Sequence, residues 1–309
     1  MKILVTGGAG FIGSHVVDTY IAAGHTVAVL DDLSTGKAEQ VNPKAKLYKG
    51  SIEDRDRIEA VLAEFRPEVI NHHAAQISVV ESTRQPGADA SRNIIGSINL
   101  ILAARSADSV RKFIYASSGG AMYGNPAVVP CDEETPADPV SPYGLSKYTA
   151  ERYLRILTDG SSPAATVLRY SNVYGPRQDP HGEAGVCAIF SRKMLDNEPA
   201  VIFGDGTQVR DYIYVSDVAA ANLAVLTQGD GRSYNIATGV GTATNEVYRA
   251  LAECIGYTRE AVHDPGRPGE VQKIILSPAR AEAELGWKAT VDFISGTAKT
   301  VEWYRGSDN

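Results

Sequence analysis

Lys2-Ile-Leu-Val-Thr-Gly-Gly-Ala-Gly-Phe-Ile-Gly13 is the stretch from which the rest of the chain is read. Ile3-Leu4-Val5 is an apolar run of strand character, and a helix is expected after the glycines, to about Ala23. Gly8, Gly10 and Gly13 satisfy Gly-x-Gly-x-x-Gly, and Gly7, Gly10 and Gly13 satisfy Gly-x-x-Gly-x-x-Gly. Such glycines let the backbone turn tightly and approach a pyrophosphate closely. The helix N-terminus then offers free N–H groups and its positive dipole end to the anion. Alone the motif is weak. Here it follows a strand, opens a helix and precedes a second strand, Thr26-Val-Ala-Val-Leu30, that ends at Asp31. An acid at that strand end can bind both ribose hydroxyls and repels a 2′-phosphate, so the reading is NAD in preference to NADP.

Strand and helix alternate onward. Lys46-Leu-Tyr48 reads as a strand, Asp54 to Phe65 as an amphipathic helix and Glu68-Val-Ile-Asn71 as a strand. A long helix is expected from Pro86-Gly87 to about Ala107, then a strand at Lys112 to Ala116, a helix at Tyr143 and a strand at Ala165 to Tyr170. This alternation predicts an α/β fold with a doubly wound parallel sheet of the Rossmann type. Ligands bind such sheets at the carboxyl ends of the strands, where Asp31, Ala74, Ser118 and Tyr170 would collect. Beyond Tyr170 the texture changes. Ser171 to Arg177 reads as a loop, Val186 to Asp196 as a helix, Phe203-Gly-Asp-Gly206 as a turn and Arg210 to Val215 as a strand. Helices follow at Ser216 to Leu226, Asn245 to Ile255 and Val291 to Tyr304. We expect a dinucleotide-binding domain over 1–170 and a smaller substrate domain over 171–309, with part of 210–240 returning to the first.

Proton chemistry is suggested by Ser118 and by Tyr143-Gly-Leu-Ser-Lys147. Ser141 suits an N-cap and Pro142 the first helical position, so Tyr143 and Lys147 share one helix face. A free phenol has a pKa near ~10, and half-ionising it at neutral pH needs roughly 4 kcal/mol. One ammonium at ~4 Å in an effective dielectric of ~20 supplies about that much. Lys147 could therefore make Tyr143 a general base, with Ser118 sharing the proton path. Taken alone, a Tyr and a Lys four apart are usually an ordinary surface pair; the surrounding motifs overturn that reading.

Other features narrow the class. The chain has 309 residues, 43% hydrophobic and 22% charged, which is ordinary globular composition. Its net charge of −7 argues against a nucleic-acid or anionic-membrane surface. Cys131, Cys187 and Cys254 are far apart and fit a reducing cytosol; no zinc or disulfide framework is suggested. No leader-like segment and no run of ~18 apolar residues stands out, and a soluble cytoplasmic protein is expected. His72-His73 invites a metal reading, but neighbours on extended chain point opposite ways, and no metal site is expected.

Together these residues resemble the extended short-chain dehydrogenase/reductase superfamily, and within it the nucleotide-sugar 4-epimerases. The resemblance rests on the glycine loop with Asp31, His73-Ala-Ala-Gln76, Asn93, Tyr115-Ala-Ser-Ser118 with Tyr123-Gly124, and Tyr143-x-x-x-Lys147. It continues through Tyr170-x-Asn172-Val-Tyr-Gly175, Arg210-Asp211, Arg267-Pro-Gly-Glu270 and Glu284-Leu-Gly-Trp287. It implies NAD bound by Gly7, Gly10, Phe11, Ile12, Gly13, Asp31, Asp32, Ser34, Thr35, Gly36, Ser51, Ile52, Ala74, Ala75, Gln76, Asn93, Tyr143, Lys147 and Tyr170. A UDP-sugar would meet Ser118, Tyr143, Asn172, Val186, Phe203, Arg210, Arg267, Glu270 and Ile274. Asn172, Arg210 and Arg267 would lie at the diphosphate, Phe203 at the uracil and Glu270 at the uridine ribose. Tyr143, aided by Ser118 and Lys147, would take the 4-hydroxyl proton while the C4 hydride passes to NAD; the keto sugar would turn, and the hydride would return on its other face.

Relatives that eliminate or decarboxylate follow the catalytic hydroxyl with a carboxylate. Here Gly119-Gly120 follow Ser118, which favours epimerisation. Uronate epimerases, decarboxylases, reductases and a non-catalytic NAD-binding regulator are the competing readings. Ser51 and Ser277 stand where relatives often carry Asp. Ile274 stands where some carry Tyr, so the sugar pocket is expected to tolerate an N-acetyl group. A homodimer is implied through the helices at Pro86–Ala107 and Tyr143–Leu157.

Overall fold

Alternating side chains on the first strand already divide the molecule into layers. Ile3 and Val5 face one way and Leu4 the other, as successive residues on a strand must, and all three are fully buried. The computed structural model describes residues 1–160, 162–181, 185–266 and 271–306. Its first part runs β1 (Lys2–Thr6), α1 (Phe11–Ala22), β2 (Thr26–Asp31), β3 (Lys46–Lys49), α2 (Arg55–Phe65), β4 (Val69–His72) and α3 (Val79–Arg84). It continues with α4 (Pro86–Ala90), a π-helical turn at Ser91–Gly96, α5 (Ser97–Ser106), β5 (Lys112–Ser118), α6 (Gly119–Met122), α7 (Pro142–Thr158) and β6 (Ala164–Tyr170). The remainder comprises β7 (Asn172–Tyr174), α8 (Val186–Leu195), β8 (Val201–Phe203), β9 (Val209–Tyr214), α9 (Val215–Ala224), β10 (Ser233–Ile236) and β11 (Gly241–Ala243). Last come α10 (Thr244–Ile255), β12 (Val262–Asp264), β13 (Lys273–Ile274), α11 (Ala279–Leu285) and α12 (Phe293–Gly306).

Seven strands form one parallel sheet in the order β10-β6-β5-β4-β1-β2-β3. The doubly wound α/β class read from the sequence is therefore the fold. The order reverses between β1 and β4, and a crevice opens there at the carboxyl ends of the strands. On one face α1 and α9 bury Val16, Val17, Tyr20, Val218 and Ala221 against Ile3, Val5 and Leu168. On the other, α2, α5 and α7 bury Ile58, Leu62, Leu100, Ala150 and Leu154 against Leu4, Ile70 and Phe113.

Local chemistry sets the helix ends. Asp54 caps α2 by accepting from the Arg57 N–H at 3.0 Å, and Ser141 caps α7 by accepting from the Gly144 N–H at 3.1 Å, with Pro142 in the first turn. The long helix expected from Pro86 is continuous in direction, but its middle is wound as the wider π turn at Ser91–Gly96.

Beyond Tyr170 the chain builds a smaller sheet from β11, β9 and β13, with β7 paired to β9, while β8 pairs β12. Asn172 to Tyr174, expected as loop, is a short strand because β9 lies alongside to satisfy its backbone. Tyr174, Phe190, Met194, Tyr248 and Tyr257 form a separate aromatic core under these strands. The chain then returns to the large sheet, where β10 pairs with β6.

Asp211 joins the two parts. Its carboxylate accepts from the Thr238 N–H at 3.0 Å, the Thr238 hydroxyl at 2.8 Å and the Gly239 N–H at 2.9 Å, just after β10. Asp211→Ala strands these buried donors. We expect urea denaturation to show a loss of about 3 kcal/mol with an unchanged m value.

Candidate active site

Five of the central strands end in residues that build one site: Thr6, Asp31, His72, Ser118 and Tyr170. A cavity of about 550 Å³ opens above them. Its floor is the glycine loop. Gly7 adopts φ +71°, and its N–H donates to the Leu30 carbonyl at 2.9 Å. A Cβ at Gly13 would lie 2.2 Å from the Gly7 carbonyl oxygen, so no larger residue fits without moving backbone. Phe11 and Ile12, in the first turn of α1, line the same floor.

At the end of β2, the Asp31 carboxylate accepts from the Ala9 N–H at 3.0 Å and the Leu33 N–H at 2.9 Å. Burial pushes its carboxyl up, and those two bonds oppose the rise. Asp31, Asp32, Ser34, Thr35 and Gly36 wall one end of the cavity, with Ser51 and Ile52 beside them. Ala74, Ala75 and Gln76 line it from the end of β4, and Tyr170 from β6. Asn93 does not reach the cavity. It is buried behind the wall, where its Oδ1 accepts from the Gln76 N–H at 2.8 Å and its Nδ2 donates to the Gln76 carbonyl at 3.0 Å.

Ser118 closes β5 and Tyr143 lies in the first turn of α7, with the Ser118 hydroxyl near enough to act on the Tyr143 phenol. The Tyr143 N–H is held by the Ser82 hydroxyl at 3.1 Å, and Lys147 follows one turn later. The Lys147 ammonium sits 4.4 Å from the centre of the Tyr115 ring. Tyr143 and Lys147 line the cavity; Ser118 reaches it through Tyr143. Burial raises the Tyr143 phenol, and the Ser118 hydroxyl counters this. Burial also lowers Lys147, to about 7, against the pull of Asp89 and Glu151. The expected aid from Lys147 to Tyr143 is thus conditional on the lysine's staying charged.

Behind these residues lies a buried ion pair. Arg169 on β6 donates to Glu151 on α7 at 2.5 and 3.1 Å. The Ser117 hydroxyl donates to the same carboxylate at 3.3 Å. Glu151 lies two turns after Tyr143, so the pair fixes α7 against the strand ends.

The two histidines are explained without metal. The His72 ring nitrogens meet the Thr6 hydroxyl at 2.7 Å and the Ser97 hydroxyl at 2.9 Å, and His73 stacks on Tyr170 with centroids 6.1 Å apart. Among the described residues no group of three His, Cys, Asp or Glu could hold a metal ion.

Of the residues expected at the sugar nucleotide, Tyr143 lines the cavity, whereas Asn172, Val186, Phe203, Arg210 and Ile274 do not. Asn172 lies nearest the catalytic turn, with its Oδ1 3.2 Å from where a Cβ on Gly120 would stand. Val186 opens α8, Phe203 ends β8 exposed, and Arg210 lies on β9 beside Ile274 on β13. Ile274 is not a pocket wall here: it packs among Met122, Tyr123, Cys131, Ala237 and Leu276, because an apolar side chain on that strand finds a dry cluster beneath it. Arg267 and Glu270 lie outside the described residues. Sequence reasoning missed Arg177, Gln178 and Asp179, which also line the cavity. Arg177 pairs with Asp18 at 2.7 Å; its signal was only its place after a strand end.

The sequence model of the NAD dependent epimerase/dehydratase family matches residues 3–237. A UDP-glucose 4-epimerase of Mycolicibacterium smegmatis is 45% identical over 311 residues, covering 99% of both chains. The crystal structure of a UDP-glucose 4-epimerase with UDP-glucose from Thermotoga maritima superposes with a TM-score of 0.98 at 49% identity, over all of both chains. That of a Thermus thermophilus UDP-glucose 4-epimerase in complex with NAD gives 0.95 at 43% identity, over 99% of this chain and 100% of the other. The chain belongs to the NAD dependent epimerase/dehydratase family.

The glycine loop offers a direct check. An added methyl at Gly13 forces backbone movement costing about 1–3 kcal/mol. Gly13→Ala is therefore expected to weaken dinucleotide binding about tenfold or more, read as bound NAD per protomer or by titration calorimetry.

Proposed function

We propose that this chain is an NAD-dependent UDP-hexose 4-epimerase that interconverts UDP-glucose and UDP-galactose. The observation that carries the reading is the placing of Ser118, Tyr143 and Lys147 at the edge of a cavity whose floor is the glycine loop. The similar proteins with UDP-glucose and with NAD support it. The residues fit a dinucleotide: Gly7 and Gly13 leave no room for side chains where a pyrophosphate would approach, Asp31 suits a ribose, and Ala74 and Ala75 keep the middle open. Bound NAD supplies a hydride acceptor and donor.

The protein's own residues move the proton. Tyr143 accepts it from the 4-hydroxyl and later returns it, with the Ser118 hydroxyl bridging phenol and sugar oxygen. Lys147 stabilises the phenolate while it exists. Gly119 and Gly120 place no carboxylate beside Ser118 to work on C5 or C6, so simple oxidation and return is favoured over elimination or decarboxylation. We assign 1–170 to the cofactor and 171–309 to the sugar nucleotide, with β10 built into the first sheet.

We further propose a homodimer. Ile95 on the π turn, Val140 just before α7, and Leu145, Tyr153 and Ile156 on α7 are exposed apolar side chains suited to covering by a second copy. A cytoplasmic location is proposed on the three free cysteines, of which Cys131 and Cys187 are buried. No helix among the described residues is long and apolar enough to cross a membrane.

Purified protein given UDP-galactose without added NAD is expected to yield UDP-glucose and to run as a dimer by light scattering. Tyr143→Phe should lower turnover by about 10²-fold or more while still binding NAD. Wild-type turnover in that variant would refute the role of Tyr143.

A further inference from the structure

Tyr143, Lys147 and Glu151 follow one another at four-residue spacing and so share one face of α7. Each is fastened to a neighbour. The Tyr143 N–H donates to the Ser82 hydroxyl at 3.1 Å, and the Tyr115 hydroxyl donates to the Lys147 carbonyl at 3.4 Å. Glu151 is fastened by charge. Arg169 on β6 donates to its carboxylate from Nε at 3.1 Å and from Nη2 at 2.5 Å, and the Ser117 hydroxyl donates to it at 3.3 Å. Glu151 is 1% exposed and Arg169 6%, so both charges lie out of water. Arg155, nearer solvent, lies 3.7 Å from the same carboxylate.

The rest of the guanidinium holds the chain that leaves Ser118. Its Nη1 donates to the Tyr123 hydroxyl at 2.8 Å and to the Glu133 carbonyl at 3.1 Å. The Tyr123 hydroxyl donates onward to Asn235 Oδ1 on β10 at 3.0 Å, and the Asn235 N–H donates to the Glu133 carboxylate at 2.7 Å. Across the sheet, Arg169 pairs in register with Ser117, and Tyr170 with Ser118. One side chain thus spans the strand that ends in Ser118, the helix that carries Tyr143 and Lys147, and the segment between them.

Stability does not by itself call for charges at this place. Removing one partner of a buried pair is strongly destabilising, but replacing both by neutral groups of similar volume is often neutral or stabilising. What the charged pair adds is geometry, because two parallel N–H···O bonds fix both separation and orientation. A reacting group misplaced by about 1 Å can lose about 10²-fold in rate. We propose that Glu151 and Arg169 are positioning residues: their pair holds Tyr143 and Lys147 in place against the strand end that carries Ser118. The proposal rests on the epimerase reading for its catalytic meaning, but its structural readout does not.

The test is the neutral pair Glu151→Gln with Arg169→Met, which leaves an acceptor for Ser117. It is expected to fold and to hold as much NAD per protomer as wild type. Its kcat on UDP-galactose should fall about 10²-fold, with KM within about twofold. Wild-type kcat, or a raised KM with kcat kept, overturns the proposal. Crystals of the NAD complexes give a readout apart from activity. The separation of the Ser118 and Tyr143 hydroxyl oxygens should differ from wild type by about 1 Å, and an unchanged separation overturns the proposal. Should the neutral pair fail to fold, Arg169→Lys takes its place. It keeps the charge without the two-pronged contact, and kcat should fall about tenfold with bound NAD unchanged. Unchanged kcat there, or failure of both variants to fold, assigns the pair to the fold and overturns the proposal. An inactive wild type would sink the epimerase reading, while the hydroxyl separation would still decide the role of the pair.

Discussion

An ammonium held out of water is the constraint around which this active site is built. Burial brings Lys147 from 10.5 to about 7, on the order of 5 kcal/mol against the charged form. The Tyr115 ring offers its electron-rich face at 4.4 Å, and the Asp89 and Glu151 carboxylates favour the charged form. Each is held by other buried groups. Glu151 is fixed by Arg169, Asp89 by Gln76 and Asn93, and Asn93 by the turns of α4 and α5. Removing one member leaves another buried polar group unpaired, which costs more than the bond itself contributes.

This arrangement needs a rigid frame, and a parallel sheet supplies one. All seven strands of the large sheet run the same way, so their final residues gather along one edge. The glycine loop leaves β1, Asp31 ends β2, Ser118 ends β5 and Tyr170 ends β6. The residues we propose to move protons therefore stand on strand ends and on the first turns of a capped helix, where geometry is better defined than on loops. The smaller sheet is tied down through Asp211 and through β10, which adds itself to the edge of the large one beside β6.

How much of this the sequence revealed follows from the range of the interactions. The glycine spacing, the Ser141-Pro142 helix start and the Tyr143/Lys147 face depend on neighbours a few residues away, and so could be read directly. The alternating apolar runs carried the sheet. Asp89 could not be read as buried, because Gly87-Ala-Asp-Ala90 has no local signature; its burial depends on Gln76 and Asn93 reaching it beside a π turn that propensity does not foretell. Asn172 to Tyr174 became strand only because β9 lies beside it. Asn93, expected at the cofactor, braces Gln76, which lines the cavity. Ile274, expected at the sugar pocket, is buried in an apolar cluster, since burial is decided by what lies beneath a strand and not by its sequence. Arg177 follows a strand end in the sequence, but its approach to the cavity depends on Asp18 of α1.

The central claim is that one carbon loses and regains its own hydride inside a single closed site. The direct measurement is turnover of UDP-galactose carrying deuterium at C4, in ordinary water without added NAD, with the product examined by proton NMR. The account predicts UDP-glucose with the deuterium still at C4. Product with hydrogen from solvent at C4 would contradict it and would require proton abstraction from carbon instead.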